Sequence, residues 1–367
     1  MVRPTYLLCI LILGIGWGMP FPPSTIAHSA TPSPPDTSTT SFSWYVLPNG
    51  YYTPETNVGG GVASGFFWDR PSQPTSSLLA DASVTLEGQY QFNTSIEWFR
   101  DARWRRIKGE VSLQSFPSSF FGVGPRTPSD QEEDFTSRFV DVDTQIEWHA
   151  TSNWRAGIRL RGRHDVFTKT TDGGLLDTEQ VAGHDGSTVL GAGPVLVYDT
   201  RNAIYYPQRG RLLTAQAVVY PSGLGTTHGF THVAANARQY VSLHGNQTLA
   251  LQTYAEAIAG TAPFTVLPKL GGSMRMRGYR DGRFRDNVYV MTQAEWRIPL
   301  FWRVETAAFA GLGTVAPRVG DVTSHPPEWG IGTGLRYRLN DAGVRVRVDY
   351  AIGREGTGLY MTASQPL

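Results

Sequence analysis

The stretch GVRVRVDYAIG, residues 343–353, alternates between apolar and charged side chains. In an extended chain Val346 and Val348 lie on one side, and Arg347 and Asp349 lie on the other. A period of two residues predicts a β-strand with one apolar and one polar face. A single strand of this kind is compatible with a soluble sheet that packs its apolar face inward and with a membrane barrel that turns this face to lipid.

The same alternation recurs along the chain. The other clear examples are RIKGEVSLQ (106–114), FVDVDTQIEWH (139–149), GIRLRGR (157–163) and VYVMTQAEWRI (288–298). Strands of about ten residues, apolar outside and polar inside, are typical of transmembrane β-barrels, whose closed sheet satisfies every backbone hydrogen bond in lipid. The strands begin near Trp44, Val58, Leu79, Gln91, Arg106, Ser137, Arg155, Thr188, Arg211, Thr231, Leu249, Val288, Val304, Gly330, Val344 and Gly358. The sequence therefore predicts an all-β fold, a transmembrane antiparallel β-barrel of about 16 strands.

The segments that connect these strands alternate between short and long. The long ones are 116–134, 166–187, 221–229, 260–287 and 314–329. The short ones are FRDA (99–102), HATSN (149–153), LHGN (243–246), PLF (299–301) and LNDAG (339–343). Tryptophans lie beside the short turns, at Trp68, Trp98, Trp104, Trp148, Trp154, Trp296 and Trp302. Short periplasmic turns, long outward loops and aromatic girdles are typical of outer-membrane barrels, so this pattern predicts the bacterial outer membrane.

The N-terminal region predicts export. Arg3 precedes the apolar run LLCILILGIGWGM (7–19), and the small residues AHSA (27–30) follow. This order is typical of a secretory signal peptide rather than an uncleaved anchor, because the run is too short to span a bilayer. The predicted division is a signal peptide at 1–30, a disordered Pro/Ser/Thr linker at 31–41 and the barrel at 42–367.

The composition excludes several classes of function. The 32 basic and 31 acidic residues nearly balance, which argues against a nucleic-acid partner. Asp141 and Asp143 share a strand face, but the opposing arginine row at 159–163 predicts ion pairs rather than a metal site. His164–Asp165 has no serine partner in a catalytic motif, so a hydrolase is only a formal alternative. We expect no enzyme activity, no metal and no cofactor.

The outward loop between the eleventh and twelfth strands is unusually basic. It contains GGSMRMRGYRDGRFRDN (271–287), with five arginines. This loop, together with VYDTRNAIYYPQRG (197–210), QAEWRIPL (293–300) and GTGLRYRL…VRVDYA (332–351), resembles the bacterial surface antigen barrels of BamA/TamA-type outer-membrane assembly factors. The resemblance extends over residues 42–367.

The resemblance implies that this sixth loop folds back into the barrel lumen. Its motif is Met276, Arg277, Gly278 and Tyr279. In the family the loop arginine pairs with acidic residues of the inner wall. The alternation of the next strand places Glu295 on the polar face, which makes it the first candidate partner. A mobile, solvated loop is the alternative interpretation.

The stretch VYDTRNAIYYPQRG (197–210) resembles a periplasmic turn of the same family. It contains Asp199, Arg201, Pro207 and Gly210. We interpret Asp199 and Arg201 as an ion pair that fixes the turn rather than as catalytic residues.

Three features depart from the family pattern. Gly311 stands where family members often place an acidic residue, so one expected partner of Arg277 is missing. The chain ends in Leu367 instead of an aromatic residue. The periplasmic POTRA repeats that bind clients in the family are expected to be absent, because only the linker precedes the barrel.

The resemblance implies a role in membrane assembly. The family mechanism would use a weak lateral seam between the first strand (Trp44–Tyr52) and the final strand (Gly358–Leu367). The expected partners are outer-membrane lipids, unfolded outer-membrane protein or lipid clients, and a separate periplasmic accessory protein. A loop-plugged pore or a structural barrel without insertase activity is the alternative.

Overall fold

A computed structural model of the chain describes residues 40–53, 57–70, 73–100, 105–178, 181–223, 225–338 and 345–362. At 49–53 and 57 only the backbone is described. The predicted signal peptide (1–30) lies outside these ranges, as does all but the last two residues of the predicted linker (31–41). Among the described residues no helix is long and apolar enough to cross a membrane.

The described residues form eighteen β-strands. They are β1 (Ser41–Thr53), β2 (Asn57–Asp69), β3 (Ser76–Thr85), β4 (Tyr90–Arg100), β5 (Arg105–Phe120), β6 (Glu133–His149), β7 (Trp154–Lys169), β8 (Ser187–Asp199), β9 (Gly210–Tyr220), β10 (Phe230–Ser242), β11 (Thr248–Gly260), β12 (Lys269–Leu270), β13 (Phe284–Arg285), β14 (Val288–Phe301), β15 (Val304–Ala316), β16 (Glu328–Arg338), β17 (Arg345–Gly353) and β18 (Gly356–Thr362). Four short 3-10 helices lie at Ser129–Gln131, His244–Asn246, Phe264–Val266 and Val319–Asp321.

Sixteen of these strands form one antiparallel sheet in which each strand pairs with its neighbours in sequence. Only the two-residue strands β12 and β13, which pair with each other, lie outside this sheet. The edges of the large sheet are β1 and β18, and no pairing joins these two strands among the described residues. The predicted all-β fold of about 16 antiparallel strands is confirmed.

The predicted strand positions agree closely with the sheet. Fifteen of the sixteen predicted starts lie inside an observed strand, and Val344 lies outside the described residues. The predicted turn PLF (299–301) is wrong, because these residues belong to β14 and the turn is formed by Trp302 and Arg303. Pro299 is tolerated because it lies next to a register shift at the strand end, where a missing backbone donor costs little.

The sheet has one apolar and one polar face. On β17 the side chains of Val348 and Tyr350 are 40% and 47% exposed, whereas Arg347 and Asp349 are fully buried. Rows of exposed large apolar side chains require an apolar medium to cover them. We therefore refer to the apolar face as the lipid-facing side and to the opposite one as the polar face.

The segment between β11 and β14 packs against the polar face. Its residues Leu270, Met276, Tyr279 and Phe284 form a buried cluster. Strand residues that complete this cluster are Ala234, Tyr254, Tyr289, Met291 and Val315. The basic segment 271–287 is therefore anchored on the sheet by apolar side chains as well as by charge.

Candidate functional site

Arg277 contacts two carboxylates that belong to different strands. Its Nη1 lies 3.0 Å from Glu295 Oε2 on β14 and 2.7 Å from Asp349 Oδ2 on β17. All three side chains are at most 1% exposed. Because β15 and β16 lie between these strands, one guanidinium connects the loop to a wall four strands wide.

The same two carboxylates bind three further arginines. Glu295 lies 3.1 Å from both Arg297 and Arg336, and Asp349 pairs with Arg336 and Arg347. Together with the loop arginine, four guanidinium groups share two carboxylates, a formal surplus of two positive charges. A buried charge without a full counter-charge is costly, so other groups must compensate for it.

Aromatic rings and carbonyl oxygens supply part of this compensation. The Arg277 guanidinium lies 3.3 Å from the ring centroid of Phe309, and that of Arg297 lies 4.9 Å from the ring centroid of Tyr206. Arg297 also donates a hydrogen bond of 3.3 Å to the carbonyl oxygen of Pro207. The negative faces of the rings and the carbonyl dipoles favour positive charge at these positions.

Glycines allow the loop to approach the strands closely. Met276 and Gly278 both have positive φ, at 50° and 109°. A Cβ at residue 278 would lie 2.8 Å from the backbone nitrogen of Gly353, so only glycine fits there. The buried Met276 side chain lies against Gly313, where an added Cβ would come within 3.1 Å of it.

Tyr279 binds the start of β16 and the end of β17. Its hydroxyl lies 2.8 Å from Glu328 Oε2 and 2.9 Å from the carbonyl oxygen of Trp329, and it accepts a hydrogen bond of 3.1 Å from the backbone N–H of Arg354. Burial, together with the acceptor Glu328, raises the pKa of Tyr279 to about 12. The hydroxyl therefore stays protonated and remains a donor at physiological pH.

The final strand is connected to the same motif through Tyr360. The Gly278 N–H donates to the Tyr360 hydroxyl at 2.9 Å, and that hydroxyl donates to the carbonyl oxygen of Tyr279 at 3.0 Å. At the β17–β18 turn, Arg283 Nη2 lies 2.8 Å from Glu355 Oε1. The segment 271–287 thus binds the β17–β18 hairpin along most of its length.

The turn between β8 and β9 contains the residues of the predicted turn motif, from Asp199 to Gly210. Arg201 approaches Asp199 in a bidentate manner, at 3.0 and 2.9 Å. Gly210 has φ of 102°, and an added Cβ would collide with the backbone of the turn. Pro207 is buried, and its carbonyl contacts Arg297, so the turn reaches one of the four arginines around Glu295 and Asp349.

Three of the four predicted seam residues lie at the edges of the sheet. Trp44 on β1 is 62% exposed, and Gly358 lies in β18. The backbone of Tyr52 belongs to β1, but its side chain lies outside the described residues, as does Leu367.

The acidic pair on β6 forms ion pairs with β7. Arg159 Nε donates to Asp143 at 2.9 Å, and Asp141 lies 3.0 Å from Arg161 and 3.3 Å from Arg163. Both carboxylates are thus directed at guanidinium groups rather than at each other. Among the described residues no group of three or more potential ligands is placed to hold a metal ion.

Sequence reasoning did not assign Asp349 and Tyr360 to the loop. The alternation on β17 placed Asp349 on the polar face, but nothing in the pattern showed which distant residue it meets. Gly311, where an acidic partner was expected, lies close to Met276 instead, and a Cβ there would be 3.4 Å from its sulfur. Asp349 supplies the second carboxylate.

Sixteen antiparallel strands with a lipid-facing side and a polar side define an outer-membrane β-barrel. The sequence profile of the Omp85 superfamily domain matches residues 55–358, and the chain belongs to this superfamily. It is therefore a barrel of the bacterial outer membrane and not an enzyme, as the sequence predicted.

A solved structure supports the same fold. The chain is similar to BamA from Haemophilus ducreyi lacking POTRA domains 1–3, with a TM-score of 0.57, 14% identity, and coverage of 88% of this chain and 69% of that one. Similarity to Wzi of Escherichia coli, described as a carbohydrate-binding β-barrel, has a TM-score of 0.34, 9% identity, and coverage of 88% and 81%. A comparison with curated protein sequences gave no match.

Proposed function

We propose that this barrel assists the insertion or translocation of proteins or lipids at the outer membrane by opening between β1 and β18. These strands are the edges of the sheet, and no pairing joins them among the described residues. A free edge offers backbone N–H and C=O groups to an incoming strand. This pair of edges is the observation that carries the proposal.

In this proposal the segment 271–287 occupies the barrel interior and holds one side of the seam in place. Its contacts with Asp349, Glu355 and Tyr360 bind the β17–β18 hairpin. Opening then moves the β1 side relative to a fixed β18 side. The clients are unfolded outer-membrane proteins or lipids, and a separate periplasmic accessory protein delivers them.

Disulfide locking tests this function. The seam is locked with cysteines at Val46 and Leu359, which lie on the lipid-facing side of β1 and β18. The control lock joins Tyr350 and Leu359, which are direct partners in the β17–β18 pair. The measurement is the outer-membrane proteome and lipid content of cells that produce only the locked protein.

We expect the seam lock to lower the level of client molecules in the outer membrane and reducing agent to restore it, while the control lock has no effect. A seam that is fully crosslinked without any change in proteome or lipids argues against the proposal. If no crosslink forms at this pair, neighbouring positions such as Trp44 replace Val46.

A loop-plugged pore or a structural barrel is the second candidate. A polar cavity of about 880 Å³ beside the segment 271–287 favours the pore. Planar-bilayer recordings of the purified protein, with and without residues 271–287, distinguish the two candidates. A pore requires conductance that rises when the loop is removed, whereas silent bilayers in both cases exclude it.

A further inference from the structure

The cavity beside the loop is lined mainly by charged and polar side chains. It lies between the polar faces of β4–β11 and the loop residues 271–275. Its volume of about 880 Å³ falls within the range of small-molecule sites, roughly 300–1,000 Å³. The arginines and lysines of its wall are Arg106, Lys108, Arg159, Arg161, Arg201, Arg238, Lys269 and Arg275.

Seven of these eight bases have a carboxylate partner. The pairs are Arg106 with Glu97 and Glu147, Lys108 with Glu110, Arg159 with Asp143, Arg161 with Asp141, Arg201 with Asp199, Lys269 with Asp281, and Arg275 with Glu256. Their charge is therefore largely neutralised within the protein.

Arg238 is the exception. Among the described residues no carboxylate lies within ion-pair distance of it, and its Nε is buried without a hydrogen-bond partner. Its cross-strand neighbours are the uncharged Leu212 and Gln252. The polar groups that act on it are the Tyr240 hydroxyl, which favours its positive charge, and the two positive residues Arg201 and Arg275, which oppose it. Among the described residues the guanidinium therefore has no carboxylate counter-charge, and one of its donors has no acceptor.

Two amides add donors to the same wall. Asn236 Oδ1 accepts a hydrogen bond of 2.8 Å from Gln252 Nε2, which leaves the Asn236 amide N–H groups available. Gln216 Oε1 accepts from Arg159, which leaves its N–H groups available in the same way. Asn236 and Gln216 both line the cavity. A wall that presents donors and an uncompensated positive charge is suited to an oxyanion.

We propose that this cavity binds a small water-soluble oxyanion, a carboxylate or a phosphate, and that Arg238 binds its charge. The planar fork of the guanidinium matches two oxygens of either group. More of the cavity wall is polar than apolar, which favours a soluble anion over a lipid. The inference does not depend on the seam between β1 and β18.

Calorimetric titration of the purified full chain in a zwitterionic detergent tests the site. The probes are inorganic phosphate and succinate, at an ionic strength held constant with sodium chloride. We expect saturable binding of at least one probe to the unmodified protein and an affinity about tenfold or more lower for Arg238→Gln, because a charge-assisted hydrogen bond is lost. Arg238→Lys keeps the charge without the fork, so its affinity should be intermediate.

Arg209→Gln is the matched control, because it removes one positive charge from an exposed position in a periplasmic turn. It should bind both probes as the unmodified protein does. Heat unfolding provides a second measurement that does not depend on calorimetry. Without anion, Arg238→Gln should unfold at or above the temperature of the unmodified protein, since an uncompensated charge is gone. Phosphate or succinate should stabilise only proteins that retain Arg238.

Three results would overturn the site. One is the absence of saturable binding of both probes to the unmodified protein. Another is an equal loss of affinity in Arg209→Gln and Arg238→Gln, which would indicate a general charge effect. The third is binding of phosphatidylglycerol in mixed micelles without binding of phosphate or succinate, which would identify a lipid headgroup as the ligand.

Discussion

Two ion-pair systems lie on the polar face of this barrel, and they differ in what they connect. On β6 and β7, each carboxylate meets arginines of the neighbouring strand or of its own. On β14, β16 and β17, two carboxylates share four arginines, one of which comes from the segment 271–287. We call the first system the ladder and the second the loop cluster.

The loop cluster is also more deeply buried than the ladder. In the ladder the Asp141 and Arg161 side chains are 14% and 27% exposed, and only Asp165 is fully buried. In the loop cluster Glu295 and Asp349 are 0% exposed. An ion pair that retains solvent contributes little to stability, whereas removal of one partner from a dry cluster leaves charges that nothing neutralises. The ladder therefore makes the polar face of β6 and β7 charged but contributes little stability, whereas the loop cluster stabilises the packing of the segment 271–287 on the sheet.

The largest effect is expected for Asp349→Asn. This change keeps the shape but leaves Glu295 as the only carboxylate for four guanidinium groups. Loss of one member of a buried ionic network costs roughly 3–5 kcal/mol. Urea unfolding of the detergent-purified protein should show this loss. Asp134→Asn at an exposed position is the control and should stay within about 0.5 kcal/mol of the unmodified protein.

Arg277→Ala should have the next largest effect. Both carboxylates keep other arginine partners, so the cost is that of the lost charged hydrogen bonds, roughly 2–3 kcal/mol. The segment 271–287 should also become more accessible to trypsin. The control Arg280→Ala removes an exposed pair with Glu132 and should cost less than about 1 kcal/mol. An unchanged unfolding midpoint for Arg277→Ala would mean that the loop cluster does not anchor the loop.

Tyr360→Phe tests the connection between the loop and the final strand. The change removes one hydroxyl and leaves the Gly278 N–H without its acceptor, at a cost of roughly 1–2 kcal/mol. Hydrogen exchange should accelerate in peptides that cover Gly278. Tyr350→Phe, on the lipid-facing side of the neighbouring strand, is the matched control. Equal exchange in the two variants would show that the final strand is not coupled to the loop.

The ladder and the sheet could be predicted from the sequence because they depend on local patterns. A period of two residues fixes which face a side chain occupies, and a short turn makes consecutive strands neighbours. This is why Asp141 was placed opposite the arginine row and why most strand positions agree. The turn was predicted too early, at 299–301, because the end of β14 accommodates Pro299 and the strand continues to Phe301.

The loop cluster was only partly predictable because it depends on the path of a long loop. The family resemblance suggested an acidic partner for Arg277, and alternation offered Glu295. Alternation also placed Asp349 on the polar face, but 72 residues separate it from the loop arginine, and no local rule relates the two. The contact of Tyr360 with the loop depends on Gly278, which allows the loop backbone to approach the strands closely. This approach is a feature of the tertiary structure, and no local sequence pattern predicts it.

Asp141→Asn should have the smallest effect of the four changes and completes the comparison. Arg163 retains Asp165 as a partner, and Arg161 is partly exposed to solvent, so the change leaves no charge both buried and unpaired. The expected cost is below about 1 kcal/mol. The measurement is the same urea unfolding that is used for Asp349→Asn, because both changes replace a carboxylate on the polar face with its amide. If the two variants lose equal stability, the distinction between ladder and loop cluster is wrong, because neither the deeper burial of Asp349 nor its contact with the loop would then raise the cost.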